Sequence, residues 1–237
     1  MRFSSAEGAA PRPAGRPRLA IFDCDGTLVD SQHRIAATMR AAFASEGLAQ
    51  PDLPAIRRVV GLPLADCMAL LAAERDAVTH GRLVDAFRHH FHLPGAEPAD
   101  GEEPLFAGCR AALDALEDAG WLLGIATAKG RRGLDGVLSR HGLAGRFVTL
   151  QTGDVSPGKP HPAVLQRALA EAGVGAADAV MIGDTSYDMV MACQAGVRPI
   201  GVAWGYHDED GLRAAGAESV VADFAALLRL LGEEIAP

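Results

Sequence analysis

The apolar positions divide the chain into two regions with different periodicities. Between residues 32 and 103, apolar side chains recur three or four positions apart, and Ile35, Met39 and Phe43 share one face of the first predicted helix. The pattern predicts helices at 32–46, 54–60, 65–75 and 79–91, and no convincing strand. Prolines, glycines and acids at 93–104 indicate a loop or linker. This region is therefore predicted to be all-helical.

From residue 108 onward, predicted helices alternate with short apolar runs that are typical of buried strands. The predicted strands are 121–126, 147–151, 179–182, 199–203 and 219–221, and the predicted helices are 108–119, 133–141, 162–172, 189–195 and 224–231. Such alternation indicates a parallel sheet. The apolar run 19–22 supplies one more strand, so the helical region is inserted after the first strand of the sheet.

The predicted fold class is therefore α/β, with a doubly wound, Rossmann-like core and an inserted all-helical cap domain. We expect residues 18–31 and 104–237 to form the core and residues 32–103 the cap. Residues 1–17, rich in Ala, Pro, Gly and Arg, are expected to be a disordered tail.

Composition narrows the possible partners. The chain has 237 residues, of which 49% are hydrophobic, and a formal net charge of −8, which argues against nucleic acids and anionic membranes as partners. The sequence shows no run with the length of a membrane span and no signal-peptide core. The four cysteines are widely spaced and look like reduced thiols. We expect a cytoplasmic protein that binds neither nucleic acid nor membrane.

Two acids follow the first predicted strand. Asp23 and Asp25 would point the same way at its carboxyl end, and Gly26 then allows a turn. Paired carboxylates repel each other unless a cation or a proton separates them. Because this repulsion costs stability, the pair suggests a functional site rather than a structural turn. An EF-hand loop is excluded, because its turn glycine would fall on Leu28 and its bidentate glutamate on Arg34. A structural turn with solvated acids remains an alternative.

Other polar residues also follow predicted strands. Thr127 ends the second strand, Asp184 and Asp188 follow the fourth, and Lys159 lies in a proline- and glycine-rich loop. Because ligands collect at the carboxyl ends of parallel strands, these side chains should converge with the first two acids. Acids suit Mg²⁺, and a lysine suits a phosphate. The combination fits metal-assisted phosphoryl transfer.

A nucleotide-binding P-loop is a competing interpretation. Residues 153–159 fit the start of Gly-x-x-x-x-Gly-Lys and follow a predicted strand. The next residue should be Ser or Thr, whose hydroxyl would hold Mg²⁺, but it is Pro160. The sequence therefore disfavours a P-loop.

The order of these motifs resembles the haloacid dehalogenase superfamily. The resemblance rests on Asp-Cys-Asp-Gly-Thr-Leu-Val-Asp-Ser at 23–31, Thr127, Lys159-Pro160 and Gly-Asp-Thr-Ser-Tyr-Asp at 183–188. More narrowly, the chain is similar to the phosphoglycolate-phosphatase-like branch, whose helical cap is inserted after the first motif. The resemblance to this superfamily covers nearly all of residues 18–232.

The resemblance implies a role for each matched residue. Asp23 would be the nucleophile that becomes an aspartyl-phosphate. Asp25 would be the general acid that protonates the leaving alcohol and then activates water. Thr127 would hydrogen-bond the phosphoryl group, and Lys159 would steady both that group and Asp23.

The same resemblance implies a Mg²⁺ cofactor. Asp23, the backbone carbonyl of Asp25 and Asp184 would be its ligands, and Asp188 would be a supporting acid. The implied substrate-binding residues are Gly26, Thr127, Ala128 and Lys159.

The implied function is a Mg²⁺-dependent phosphatase that hydrolyses a small phosphorylated metabolite, either phosphoglycolate-like or a sugar phosphate. Asp25 favours phosphate esters, because the dehalogenases of the superfamily lack an acid at that position. A phosphosugar mutase and a non-catalytic phosphometabolite-binding protein stay open as alternatives, and the protein is expected to be a monomer or homodimer. Residues 61–64 resemble the cap's specificity loop in position.

Three weaker signals have open interpretations. The histidines at positions 89, 90 and 92 are interpreted as a solvated helix end, with a metal site as the less favoured alternative. Lys129 either reaches the substrate or is an exposed loop lysine. Residues 204–206 are interpreted as packing at the sheet's edge.

Overall fold

The computed structural model describes residues 17–91 and 103–232. Predictions for residues 1–16 and 92–102, which include His92 and most of the tail and linker, lie outside the described residues. No helix in the described ranges has the length and apolar character needed to cross a membrane.

The core is one sheet of six parallel strands in the order β3-β2-β1-β4-β5-β6. The strands are β1 Arg18–Phe22, β2 Trp121–Ala126, β3 Phe147–Gln151, β4 Ala179–Gly183, β5 Arg198–Val202 and β6 Ser219–Val221. The helices are α1 Gln32–Ser45, α2 Leu53–Val59, α3 Leu64–Leu71, α4 Ala77–Phe91, α5 Cys109–Asp118, α6 Arg131–Arg140, α7 Ala163–Ala172, α8 Ser186–Ala195, α9 Glu209–Ala214 and α10 Phe224–Gly232.

Strand β1 is central and buried on both faces, which explains its unbroken apolar run. Because side chains alternate along a strand, Ala20 and Phe22 pack into one hydrophobic cluster, and Leu19 and Ile21 pack into another. The first cluster contains side chains of α5, α6 and α10, and the second contains side chains of α7 and α8. Helices therefore cover both faces of the sheet.

Helices α1 to α4 lie between β1 and α5 in the chain and have a hydrophobic cluster of their own. The two connections to the sheet run side by side, since Asp30 N–H donates to the Pro104 carbonyl (2.9 Å) and Phe106 N–H donates to the Leu28 carbonyl (3.0 Å). The predicted α/β fold class with an inserted helical cap is confirmed. The residue boundaries 18–31, 32–103 and 104–237 stay a prediction.

Several boundaries of the core elements differ from the prediction by one or two residues, and two larger differences have a local cause. Helix α8 begins at Ser186, three residues before the predicted start, because Thr185 and Asp188 form a capping box that stabilises its first turn. The short helix α9 was not predicted. It begins after Asp208, whose side chain accepts a hydrogen bond from Gly211 N–H (2.7 Å).

Candidate active site

Three neighbouring strands bring polar side chains to one edge of the sheet. Asp23 follows β1, Thr127 follows β2 and Asp184 follows β4, and all three side chains are buried. Because β2, β1 and β4 are adjacent and parallel, their carboxyl ends lie together. The convergence predicted from strand ends is therefore present in the folded chain.

Three carboxylates form a compact cluster at this edge. One oxygen from each of Asp23, Asp184 and Asp188 lies within 4.8 Å of the others. The Nζ of Lys159 lies 2.9 Å from Asp23 Oδ2 and 2.6 Å from Asp188 Oδ1. The second oxygen of Asp188 accepts hydrogen bonds from the hydroxyl (2.8 Å) and the N–H (3.2 Å) of Thr185. Both oxygens of Asp188 are thus already engaged.

The charges of this cluster favour binding of a cation. Burial raises the pKa of Asp23 to about 7, with Lys159 opposing the rise and Asp188 adding to it. Burial, and then the charges of Asp23 and Asp188, raises the pKa of Asp184 well above its usual range. Burial disfavours the Lys159 ammonium, but Asp188 and Asp23 outweigh it and raise the pKa of that lysine. Three ionised acids and one ammonium leave two negative charges, which a divalent ion with a preference for oxygen would balance.

The Asp184 carboxylate is held in one orientation. Its Oδ1 accepts a hydrogen bond from the Thr27 hydroxyl (2.9 Å), and its Oδ2 accepts one from Tyr206 N–H (3.0 Å). A Cβ atom added at Gly26 or Gly205 would overlap the Asp184 side chain, and Gly26 also has a φ of 85°. Both glycines are therefore required by the close approach of the backbone to this acid.

Asp25 has a different set of partners. Its Oδ1 accepts hydrogen bonds from the Ser31 hydroxyl (2.5 Å) and from the Lys129 ammonium (2.8 Å). The Ser31 hydroxyl also lies 3.1 Å from the Tyr206 hydroxyl. Asp23 and Asp25 are only 2% and 8% exposed, so a turn with solvated acids is wrong.

Two interpretations of weaker signals need correction. Lys129 is buried against Asp25, so it is not an exposed loop lysine. Residues 204–206 do more than pack at the sheet's edge, although the Trp204 ring does contact Phe224 with centroids 4.7 Å apart. The Trp204 indole N–H donates to the Thr27 carbonyl (3.1 Å), and the next two residues contact Asp184. Residues 204–206 follow β5 and so lie at the same edge of the sheet as the acids, and this position was the sequence signal that could have identified them.

A buried acid network lies next to Asp25 and was not predicted. The side chain of Glu103 is buried, and its Oε2 accepts hydrogen bonds from Arg34 and Arg140 (2.9 Å each). Its Oε1 lies 3.6 Å from Lys129 Nζ. Arg34 belongs to α1 and Arg140 to α6, so this acid links the helical insertion to the core. The sequence gives no spacing signal for it, since it is one of several acids in the predicted linker.

A cavity of about 440 Å³ lies between the sheet edge and helices α1, α3 and α4. Asp23, Asp25, Thr127 and Ala128 line it. The loop between α2 and α3 also lines it, and a Cβ added at Gly61 would lie 3.1 Å from the Thr185 side chain. Of the other predicted substrate-binding residues, Gly26 lies against Asp184 and Lys159 lies against Asp23.

The histidine metal site and the P-loop find no support in the part of the chain that the structure describes. His89 is exposed and His90 is half-buried. Within the described ranges, the three-acid cluster is the only group of three or more potential metal ligands with this spacing. A P-loop lysine stands at the start of a helix, but α7 begins only at Ala163, and Lys159 is paired with two acids.

Comparison with known proteins gives one consistent family. A family model described as haloacid dehalogenase-like hydrolase matches residues 20–202. The chain is 35% identical to the probable phosphatase IndB of Dickeya dadantii, over 87% of this chain and 90% of that protein. It is 34% identical to a phosphoglycolate phosphatase of Xanthomonas campestris, over 83% of this chain and 88% of that protein. The crystal structure of a predicted phosphatase from Clostridium acetobutylicum superposes with a TM-score of 0.82 at 27% identity, covering 92% of this chain and all of that one.

Proposed function

Because the chain belongs to the haloacid dehalogenase-like hydrolase family, we propose that it is a Mg²⁺-dependent phosphatase that hydrolyses a small phosphomonoester through an aspartyl-phosphate. The observation that carries the proposal is the position of Asp23. This acid lines the cavity, lies 2.9 Å from the Lys159 ammonium and belongs to a cluster of three buried carboxylates. A carboxylate can attack an anionic phosphate only where nearby cations lower the repulsion between them.

In the first step, a carboxylate oxygen of Asp23 attacks phosphorus and the bond between phosphorus and the ester oxygen breaks. Asp25 donates its proton to the departing alkoxide, which leaves as the alcohol. The known contacts of Asp25 are both made to Oδ1, so we assign the transferred proton to Oδ2. The Thr127 hydroxyl donates a hydrogen bond to the phosphoryl group, and Lys159 balances its charge.

In the second step, ionised Asp25 removes a proton from a water molecule, and the resulting hydroxide attacks phosphorus. The bond between phosphorus and the Asp23 oxygen breaks, so inorganic phosphate leaves and both acids return to their starting states. The helices above the cavity exclude bulk water from these steps.

The acid cluster also supports Mg²⁺ as the cofactor. Asp23, Asp184 and the backbone carbonyl of Asp25 would hold the ion, since hard oxygen ligands suit it. Asp188 is better suited to a supporting role, because Lys159 and Thr185 already engage its two oxygens. When bound, Mg²⁺ would supply the positive charge that the phosphoryl group needs during transfer.

We further propose that the protein acts in the cytoplasm on a phosphorylated metabolite, as a monomer or homodimer. Its four cysteines are free thiols in the structure, which agrees with a reducing compartment. Phosphoglycolate and sugar phosphates are the reference substrates to test. The mutase considered above would use the same residues, so only the reaction products separate the two activities.

The test is release of inorganic phosphate from a panel of phosphomonoesters, with Mg²⁺ and with EDTA. We expect turnover that requires the metal, a phosphate adduct on Asp23 after rapid acid quench, and no turnover by Asp23→Asn. Asp118→Asn, at an exposed position on α5, is the matched control and should keep full activity. Absence of phosphate release from every ester in the presence of Mg²⁺ would overturn the proposal, and interconversion of sugar phosphate isomers with little phosphate release would indicate a mutase.

A further inference from the structure

The cavity above Asp23 has two chemically different halves. The half formed by the core presents the reacting groups Asp23, Asp25 and Thr127. The half formed by α1, α3, α4 and the loop between α2 and α3 is mainly hydrocarbon. Its side chains include Ile35, Met39, Leu62, Leu64, Val84 and Phe87. A substrate whose phosphate lies at Asp23 would place its leaving alcohol against this second half.

Among the described residues that line the cavity, Lys129 is the one buried lysine, and acids already neutralise it. Lys129 Nζ lies 2.8 Å from Asp25 Oδ1 and 3.6 Å from Glu103 Oε1. A second anionic group on the substrate would have to compete with both carboxylates for this ammonium. Lys129 is therefore poorly placed to recognise a carboxylate or a second phosphate.

The other cations that line the cavity are exposed. Arg88, Arg131 and Arg132 all have solvent-exposed side chains, and Arg131 is held by Asp135 at 2.8 Å. Exposed cations contribute little to binding because water and salt screen them. Of the described residues that line the cavity, none is a buried cation without an acidic partner.

The volume of the cavity, like its lack of unpaired buried cations among the described residues, favours an apolar substrate. Pockets of about 300–1,000 Å³ usually hold ligands larger than a two-carbon acid, and this cavity of about 440 Å³ lies in that range. A carboxylate placed against the leucine and phenylalanine side chains would lose its hydration and gain no partner. An apolar body would instead displace water from a matching surface.

We propose that the leaving group of the substrate is an uncharged, largely apolar alcohol, alkyl or aryl, and that phosphoglycolate is a poor substrate. This inference rests on the proposed phosphatase function and narrows its substrate class. The apolar half of the cavity then discriminates between phosphate esters by burying the hydrocarbon of the alcohol.

A homologous series of substrates tests the inference. Ethyl, butyl and hexyl phosphate have leaving alcohols of similar reactivity, so differences in kcat/KM report contacts with the alcohol. We expect kcat/KM to rise by about fourfold for each methylene that becomes buried, and phosphoglycolate to fall below ethyl phosphate. A value for phosphoglycolate equal to or above that for hexyl phosphate would overturn the inference.

A pair of variants on α3 locates the effect. Leu64 lines the cavity and is half-buried, whereas Leu70 on the same helix is 58% exposed. Leu64→Arg should lower kcat/KM for hexyl phosphate and raise it for phosphoglycolate, and Leu70→Arg should change neither. Equal effects of the two substitutions would contradict the assignment of the alcohol to this wall.

Binding separates failure of this inference from failure of the proposed function. If no ester releases phosphate, the phosphatase proposal fails, and calorimetry with hexylphosphonate and phosphonoacetate still tests the cavity. Tighter binding of hexylphosphonate by wild type, with the advantage reduced in Leu64→Arg, supports the apolar site. Equal or tighter binding of phosphonoacetate overturns it.

Discussion

Replacing Asp184 with asparagine should stabilise the metal-free protein and at the same time remove its response to Mg²⁺. Asp184 is fully buried beside Asp23 and Asp188, and burial and these neighbours raise its pKa. Asparagine has the same shape. Its carbonyl can accept the hydrogen bond from Tyr206 N–H, and its amide can donate to the Thr27 hydroxyl, which rotates to accept. The substitution thus removes a charge and keeps the contacts.

The separation of the acids sets the expected size of the effect. The carboxylate oxygens of the cluster lie within 4.8 Å of one another, and two like charges at that limit repel by about 3 kcal/mol at an effective dielectric constant of about 20. The raised pKa values of Asp23 and Asp184 show that protonation relieves some of this repulsion, so we expect a gain of about 2 to 3 kcal/mol in the free energy of unfolding. For a chain of this length, that gain corresponds to a rise in Tm of about 5–10 °C.

The assay is thermal unfolding followed by circular dichroism at pH 8, in EDTA and in Mg²⁺. Wild type should gain stability when Mg²⁺ is added, because the ion binds only the folded cluster. Asp184→Asn should start higher in EDTA and gain nothing, and its turnover should be lost. The exposed variant Asp118→Asn should behave as wild type does. A variant that unfolds at or below the wild-type temperature in EDTA, or that responds equally to Mg²⁺, would refute the electrostatic argument.

Three further outcomes are expected. Asp25→Asn should lower kcat/KM, which reports only the steps up to the aspartyl-phosphate, by about 10²- to 10⁴-fold, with a smaller loss for aryl phosphates whose leaving groups need no proton, and equal losses across leaving groups would contradict its role as general acid. Lys129→Met should lower the free energy of unfolding by about 3–5 kcal/mol in urea denaturation, because it leaves Asp25 and Glu103 without their shared cation, and an unchanged midpoint would contradict this. Burial raises the pKa of Asp23 to about 7 in the folded protein, whereas the ordinary value for an aspartate is 3.8. Between about pH 4 and 7 the unfolded chain therefore loses this proton more readily than the folded protein, so in EDTA the free energy of unfolding should fall as the pH rises through that interval. The Tm of Asp23→Asn relative to wild type should therefore increase over that interval, and a constant difference would count against the shift.

The prediction of secondary structure succeeded where burial and periodicity agree. Strands β2 and β3 occupy the predicted residues. Strand β2 is an apolar run bounded by Gly120 and Thr127, and β3 alternates buried residues with more exposed ones, which is the period of a strand. The start of α8 was missed because a capping box, and not hydrophobic periodicity, determines it. Helix α9 was missed because only one of its six residues, Leu212, is buried, which leaves almost no apolar pattern.

The sequence by itself determined the residues that follow the strands. Acids after β1 and β4 and a threonine after β2 must meet once the sheet is parallel and those strands are neighbours. Local patterns were therefore sufficient to predict that the side chains of Asp23, Thr127 and Asp184 converge, whereas their chemical roles stay a prediction. Side chains that reach the site from elsewhere were decided only by the tertiary structure. Lys129 contacts Asp25 across 104 positions of sequence, and Tyr206 contacts Ser31 across 175. Such contacts depend on how helices and loops pack above the sheet, and no local periodicity encodes that packing.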